Sequence, residues 1–274
     1  MTIMKVLINK LLQIIFLILF LTSCGNKEEK KAKEILSQAK QKFELMEYNS
    51  TKILLDSIHQ TFPRIISIRR QADTLLWQIQ KYEFSRNLLY VDTMIVDKEE
   101  ELKSMVKEFD FQKDSAYQDF GNYVHKTMTI SRNAERCFLQ PYANEKGEFF
   151  VLSQFFGNFS VTQKKIQVLA NDLFVESNEG VFNAFYNEND VCESLILDEE
   201  ALNDLHNFIV DNAQGRIKVR LLGNRSYIYY LENLDKDAFV KTQSLSVVLA
   251  DLYRLRKEKE TATLKLEKLN KKLQ

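Results

Sequence analysis

The residues best suited to chemistry in this sequence are three histidines and three cysteines. His59, His125 and His206 lie far apart and lack the short spacings of zinc ligands. No serine occupies the G-x-S-x-G frame of a hydrolase nucleophile, and no phosphate-binding glycine loop is present. These patterns predict a non-enzymatic protein that needs no cofactor or metal. The alternative is a hydrolytic or glycan-processing enzyme whose carboxylates meet only in the folded central region.

Cys24 lies where the sequence changes from apolar to charged. Residues 1–23 contain Lys5 and Lys10, no acidic residue, and an almost uninterrupted apolar run from Leu11 to Phe20. This is the layout of a signal peptide. The apolar stretch is shorter than the ~20 residues that a membrane-spanning helix needs. We therefore predict that residues 1–23 are a signal peptide that is removed on export.

The residues Leu21-Thr22-Ser23-Cys24 resemble the lipobox of bacterial lipoproteins, in which cleavage precedes a cysteine that is then acylated. The resemblance implies that lipid attached to Cys24 anchors the protein in a membrane. Gly25 follows in place of the aspartate associated with inner-membrane retention, and Lys27-Glu28-Glu29 resembles the export signal of surface lipoproteins in Bacteroidota-type bacteria. The expected location is the outer membrane, with a surface-facing position favoured over a periplasm-facing one.

The charge and apolar content of the chain limit the classes of partner. Lys and Arg together number 38, as do Asp and Glu, and hydrophobic residues make up 45% of the sequence. A balanced charge lacks the basic surface that nucleic-acid binding requires, so we expect no nucleic-acid partner. The apolar fraction is enough for a folded core.

The region that follows Gly25 is predicted to be helical up to residue 118. The segment EYNSTKILLDSIHQTFP resembles the second half of a tetratricopeptide unit, and Ala39 fits the preceding helix. Within the segment, the matching positions are Tyr48, Leu54, Leu55, Ile58, Phe62 and Pro63, while Thr51 occupies the place usually held by alanine. Because one unit is visible, the resemblance implies a single helical hairpin rather than a repeat array.

Two heptad patterns flank the central region. The first seam comprises Trp77, Phe84, Leu88, Val91, Ile95, Leu102, Met105 and Phe109. The second comprises Leu245, Val248, Leu252, Leu255, Ala262, Leu266, Leu269 and Leu273. Such repeats are typical of coiled-coil packing. We expect an antiparallel pair within one chain, which would bring Lys98 and Lys259 together, and a homodimer through the heptad helices is the alternative.

The central region changes to short runs rich in β-branched and aromatic residues. The sequence NEKG at 144–147 predicts a hairpin turn, and Gly223-Asn224 predicts another. Asp198 is expected to cap a helix that continues to Asn212. These features predict a small, mostly antiparallel domain.

Four aromatic side chains of this region are candidate binding residues: Phe150, Phe156, Phe159 and Tyr229. They belong to the runs FFVLSQFFGNF and YIYYL, in which neighbouring aromatic residues must point to opposite faces of a strand. Exposed aromatic surface of this kind would suit a protein or glycan partner. Cys137 and Cys192 are either buried free thiols or a candidate disulfide.

The expected fold class is therefore α+β, with a helical hairpin, a long coiled-coil-like helix, a mostly antiparallel β-rich domain and a long C-terminal helix that pairs back on the N-terminal arm. The predicted divisions are a signal peptide at 1–23, a tether and hairpin at 24–64, a helical arm at 65–119, the β-rich domain at 120–235 and a C-terminal arm at 236–274. The expected function is that of a non-enzymatic cell-envelope lipoprotein that displays a binding or assembly module on a helical stalk.

Overall fold

The computed structural model describes residues 27–187 and 190–274. Cys24 and the predicted signal peptide lie outside the described residues. The fold mixes helices with antiparallel sheets, as the sequence predicted. The chain divides into two compact units, one containing residues up to Tyr90 together with Glu260–Gln274, the other containing Val91–Lys259.

The first unit contains the predicted helical hairpin. Its helices are α1 (residues 27–44), α2 (Tyr48–Thr61) and the beginning of α3 (Ile66–Met105). The buried hydrophobic residues of the three helices are Ala32, Leu36, Ala39, Leu55, Ile58, Phe62, Ile68, Ala72, Leu75 and Ile79. Thr51 is also buried, and its hydroxyl donates to the Glu47 carbonyl at 2.9 Å, which satisfies this polar group inside the hairpin.

The long helix α3 pairs with the C-terminal helix α7 (Asn233–Leu273) in antiparallel orientation. In the second unit, Val91 and Ile95 of α3 pack with Val248, Leu252 and Leu255 of α7. In the first unit, the Lys265 ammonium lies 5.1 Å from the centre of the Phe84 ring. The seam therefore pairs within one chain.

The predicted register of the seam was wrong for its two lysines. Lys98 and Lys259 do not face each other: Lys98 Nζ lies 3.4 Å from a carboxylate oxygen of Asp251, and Lys259 Nζ lies 2.7 Å from one of Asp92. Each lysine therefore meets an aspartate on the opposite helix. Opposite charges across the pair remove the repulsion that two neighbouring lysines would create.

Phe109, predicted as the last residue of the first seam, is in a strand rather than a helix. Helix α3 ends at Met105 and a short 3-10 turn, Val106–Glu108, precedes strand β1 (Phe109–Gln112). Phe109 packs with Ala143, Leu245 and Leu249. Its apolar side chain is therefore buried, as predicted for the seam, although its backbone is extended. The predicted helical arm at 65–119 consequently extends into the sheet.

The second unit contains two antiparallel sheets. After β1, the strands of these sheets are β2 (Asn122–His125), β3 (Phe138–Asn144), β4 (Phe149–Gly157), β5 (Lys165–Ala170), β6 (Leu173–Glu176), β7 (Val181–Tyr186), β8 (Val191–Leu197), β9 (Lys218–Leu222) and β10 (Ser226–Tyr230). Three short helices lie between strands: α4 (Ile130–Asn133), α5 (Glu199–Leu202) and α6 (Leu205–Asp211). The larger sheet has six strands in the order β1-β2-β3-β4-β8-β7, and the smaller has four in the order β10-β9-β5-β6.

The core of this unit lies between the two sheets. Strands β4 and β8 contribute Val151, Phe155 and Leu195, and β5 and β9 contribute Val168 and Val219. Helices α5 and α6 and the start of α7 add further apolar side chains, including Leu202, Ile209 and Phe239. One face of the six-stranded sheet is thus covered by the smaller sheet and these helices.

Of the local features predicted for the central region, the turn at 144–147 and the helix cap at Asp198 are confirmed, and the length of the capped helix was wrong. Residues 144–147 connect β3 to β4, and Gly147 has a φ of +83°, which glycine adopts without strain. Asp198 caps a helix as predicted, since its carboxylate accepts from the Ala201 amide at 2.9 Å. The predicted helix to Asn212 is interrupted, however, because Asn203 and Asp204 both have positive φ. Helices α5 and α6 are therefore separate.

Candidate binding groove on the six-stranded sheet

Strand β4 presents a second set of large side chains on the face opposite the core. Burial alternates along the strand: Phe149, Val151 and Phe155 are buried, whereas Phe150 and Phe156 are partly exposed. Because successive strand residues point to opposite faces, the second set lies on the outer face of the sheet. We call this surface the outer face.

The strand register extends the outer face toward β7 and β3. Phe156 of β4 lies opposite Cys192 of β8, which lies opposite Phe185 of β7. On the other side, Gln154 lies opposite Phe138 of β3. The outer face therefore combines aromatic side chains of β3, β4 and β7 with the Gln154 amide and the Cys192 thiol.

A groove of about 340 Å³ lies on this surface. Its floor consists of Phe138, Gln140, Gln154, Phe156 and Cys192 from β3, β4 and β8. Its wall consists of residues 128–130 and 133–136, which include α4. A cavity of this size with apolar walls and a few amides can accommodate an apolar side chain together with the polar group that flanks it.

The wall of the groove is attached to the beginning of α7 by ion pairs. The side chain of Asp235 is fully buried, and its Oδ1 lies 2.9 Å from Arg132 and 2.7 Å from Arg136. Glu232 pairs with the same two arginines, at 2.7 Å from Arg132 and 3.3 Å from Arg136. Thr129 caps α4 by accepting from the Arg132 amide. These contacts hold the wall in a defined position.

The structure separates the four candidate aromatic residues into two pairs. Phe150 and Phe156 lie on the outer face, where the Phe150 ring stacks on Tyr142 at a centroid distance of 5.1 Å. Phe159 and Tyr229 instead pack against the core between the sheets. Phe156 alone among the four lines the groove.

Tyr229 has a buried hydroxyl that lacks a hydrogen-bond partner among the described residues. Its burial raises the pKa well above the ordinary value for tyrosine, so the phenol stays protonated. Phe159 packs 5.4 Å from Phe155, measured between ring centroids. Both predicted residues therefore contribute to packing rather than to an exposed binding surface.

Cys137 and Cys192 are free thiols, so the candidate disulfide is not formed. Cys137 packs against the core between the sheets, whereas Cys192 lies on the outer face and lines the groove. Cys137 directly precedes β3 and Cys192 belongs to β8, and β4 lies between these two strands. Burial raises the pKa of Cys137, which keeps its thiol protonated and a poor nucleophile.

The histidines occupy three different environments. His59 Nδ1 accepts from Arg69 at 3.1 Å, and its Nε2 lies 3.1 Å from Asp73. His125 and His206 are in the second unit, where burial lowers the pKa of each. Within residues 27–187 and 190–274, no group of His, Cys, Asp or Glu is arranged to hold a metal ion.

The buried carboxylates of this unit, Glu193 and Asp235, are engaged in structural contacts. Glu193, fully buried on the inner side of β8, accepts from the Ser160 hydroxyl at 2.6 Å and from the Thr162 and Gln163 amides at 2.8 and 3.1 Å. Of the described residues that line the groove, one is acidic, Glu135. A pair of acids, which the hydrolytic alternative requires, is therefore not found among these described lining residues.

Sequence reasoning found the floor of the groove in part and missed its wall. Phe156 was identified because adjacent aromatics must occupy opposite faces of a strand. The wall depends on Asp235, which lies about a hundred residues from its arginine partners along the chain. The four-residue spacing of Arg132 and Arg136 was the available signal, but it does not specify the acid that they bind.

In the described part of the chain, no helix has the length and apolar character required to cross a membrane. No protein-family model, curated protein or solved structure matches this chain.

Proposed function

We propose that this protein is a lipid-anchored envelope lipoprotein whose β-rich unit binds an apolar segment of a partner protein in the groove of the outer face. The observation that carries the proposal is the groove itself, where the partly exposed Phe156 on the floor meets a wall that is held by ion pairs to the buried Asp235. A site that is ordered before binding loses less conformational freedom when the ligand arrives.

The composition of the groove supports a protein segment as the ligand. Met128, Ile130, Phe138 and Phe156 offer apolar contact, and Ile130 is 90% exposed, so its side chain is available to a partner. The amides of Gln140 and Gln154 can both donate and accept, as the backbone of an extended segment requires. Burying one apolar side chain of the partner here would contribute about 1.5–3 kcal/mol to the free energy of binding.

The anchoring part of the proposal rests on the sequence at Leu21–Cys24. Acylation of Cys24 would hold the mature chain at the outer membrane, with the β-rich unit facing the cell exterior. Stable membrane attachment needs more than one acyl chain, which the lipobox resemblance implies. Helix α3, whose 40 residues correspond to about 60 Å at 1.5 Å per residue, would form part of the stalk.

Cell fractionation and protease treatment test the anchor and the orientation. The wild-type protein should fractionate with the outer membrane, and Cys24→Ser should abolish acylation and release the protein from it. Protease added to intact cells should remove the β-rich unit while a periplasmic control protein remains intact. Membrane association of Cys24→Ser equal to wild type would contradict the anchor, and protection from protease would contradict surface display.

Site-specific photocrosslinking tests the groove. A photoreactive phenylalanine analogue is placed at Gln154, on the groove floor, or at the matched control Gln167, on the four-stranded sheet. Both glutamines are partly exposed and lie in the interior of a strand. We expect a defined protein adduct on live cells from position 154 and none from position 167. Equal labelling at both positions, or glycan adducts alone at 154, would contradict the proposed protein ligand.

A further inference from the structure

Strand β7 forms one end of the six-stranded sheet and exposes an unusually apolar edge. It pairs with β8 on one side, and no strand of the described chain pairs with its other side. Four of its six residues are large and exposed: Val181 at 71%, Phe182 at 38%, Phe185 at 70% and Tyr186 at 59%. An exposed apolar edge of this kind is a template for another strand.

The other strands at the ends of the two sheets carry charge near their edges. Strand β1 contains Asp110 and β6 contains Glu176. At the edge strand β10, the Arg216 guanidinium lies 3.8 Å from the centre of the Tyr230 ring. Strand β7, VFNAFY, contains no charged residue and no proline. Charge and proline are the usual devices that prevent edge-to-edge pairing, and β7 lacks both.

The hydrogen bonds of β7 show which backbone groups face outward. The Ala184 amide donates to the Asn183 side-chain oxygen at 2.9 Å, so it is directed away from β8. Because backbone groups alternate in direction along a strand, those of Phe182 and Tyr186 also point to the free edge. In the monomer, the Asn183 side chain thus accepts the hydrogen bond of one backbone amide at the free edge, that of Ala184.

We propose that β7 of one copy pairs with β7 of a second copy, antiparallel and centred on Asn183, to join the two six-stranded sheets. A two-fold axis perpendicular to the sheet keeps the outer faces on the same side, as antiparallel pairing requires. In this register Val181 lies opposite Phe185 of the other copy on the outer face. Phe182 lies opposite Ala184 and exchanges backbone hydrogen bonds with it, replacing the bond from Ala184 to Asn183.

A second copy fits this edge because β7 itself contains no charged residue and the pairing places an aliphatic side chain against an aromatic one. Cross-strand pairs of this kind stabilise strand pairing. Six residues bury less than the ~800 Å² per partner of a standard interface, so we expect a weak dimer in solution. Attachment of both copies to one membrane, which rests on the proposed anchor, would raise their effective concentration.

Cysteine crosslinking tests the register directly. In the proposed register, Asn183 of one copy lies directly opposite Asn183 of the other in a non-hydrogen-bonded pair. The two Cα atoms of such a pair are about 4.5 Å apart, which is within the range that a disulfide can bridge. The purified full chain carries Asn183→Cys in a Cys192→Ser background and is treated with a mild oxidant at high micromolar concentration. The control is Phe174→Cys, on the exposed edge strand β6. We expect a disulfide-linked dimer for position 183, at least fivefold above the control.

Charged variants test whether the contact is specific. Val181→Lys with Phe185→Lys places lysine opposite lysine and should reduce the crosslink to the control level. The corresponding double glutamate variant should behave in the same way, while a mixture of the two should restore crosslinking between unlike copies. Equal crosslinking at positions 174 and 183, or a crosslink unaffected by the lysines, would overturn the proposal. Because the purified chain is used, failure of the membrane anchor in fractionation would not produce either result.

Discussion

The two faces of the six-stranded sheet use similar side chains in different surroundings. On β4, Phe155 is fully buried between the sheets, whereas its neighbour Phe156 is partly exposed on the groove floor. The inner face is covered by the second sheet and three helices, and the outer face is bordered by the wall around α4. Aromatic content alone therefore does not distinguish a core face from a binding face; what covers each face does.

The largest expected difference between the faces concerns stability. Phe155→Ala should lower the free energy of unfolding by about 3–5 kcal/mol, because it leaves a cavity in a close-packed core. Phe156→Ala should lower it by about 1 kcal/mol or less, since this ring already contacts solvent. Chemical denaturation of the two variants gives the comparison. Equal destabilisation would mean that the outer face is as much a core as the inner one.

The ion pairs beneath the groove wall should have the next largest effect. Asp235→Asn should lower the free energy of unfolding by about 3 kcal/mol, because it removes the buried one of the two carboxylates that Arg132 and Arg136 share and leaves them only the exposed Glu232. Lys241→Gln is the control, since its partners Glu108 and Asp237 are exposed. If denaturation midpoints of the two variants agreed, the Asp235 pairs would not be what fixes the wall.

A smaller effect, on the pH dependence of stability, should come from His206 on the inner face. The His206 ring stacks on Phe149 with centroids 5.0 Å apart, and its Nδ1 is buried without a hydrogen-bond partner. Burial lowers the pKa of His206, against an opposing effect of Asp204 and Glu199. The unfolded chain therefore binds a proton more readily near pH 6.5, and the contribution of His206 to stability is lost as the pH falls below that value.

The corresponding measurement is the melting temperature between pH 7.5 and 5.5. The wild type should lose more stability over this interval than His206→Gln, which removes the titrating group but keeps a polar side chain. His125, whose pKa is also lowered by burial, should leave a residual pH dependence in the variant. Parallel curves for the two proteins would contradict the role assigned to His206.

The parts of the fold that local sequence determines were predictable. Heptad spacing identified the α3–α7 pair, and the sequence at 144–147 identified the β3–β4 turn. Phe109 was assigned to the helix because it continues the heptad spacing. A single apolar residue at that position fits a strand equally well, and only the tertiary contacts with Leu245 and Leu249 distinguish the two. The helix break at Asn203 was missed because asparagine tolerates a left-handed backbone without requiring it.

The candidate site was predictable only to the extent that strand alternation determines it. Alternation places Phe150 and Phe156 on one face, but it does not identify which face the other sheet covers. Phe159 and Tyr229 were misplaced for this reason, since both pack on a core assembled from segments distant along the chain. The wall requires Asp235 to meet Arg132 and Arg136, a long-range contact without a local pattern.

The binding role of the outer face is tested most directly by measuring binding and stability in one variant. Phe156→Ala is introduced into the chain that carries the photoreactive residue at position 154, and both adduct yield on cells and the denaturation midpoint are measured. We expect the yield of the protein adduct to fall at least tenfold while the denaturation midpoint stays close to that of the parent. An undiminished adduct, or loss of adduct and stability together, would contradict the claim that the outer face is built for binding.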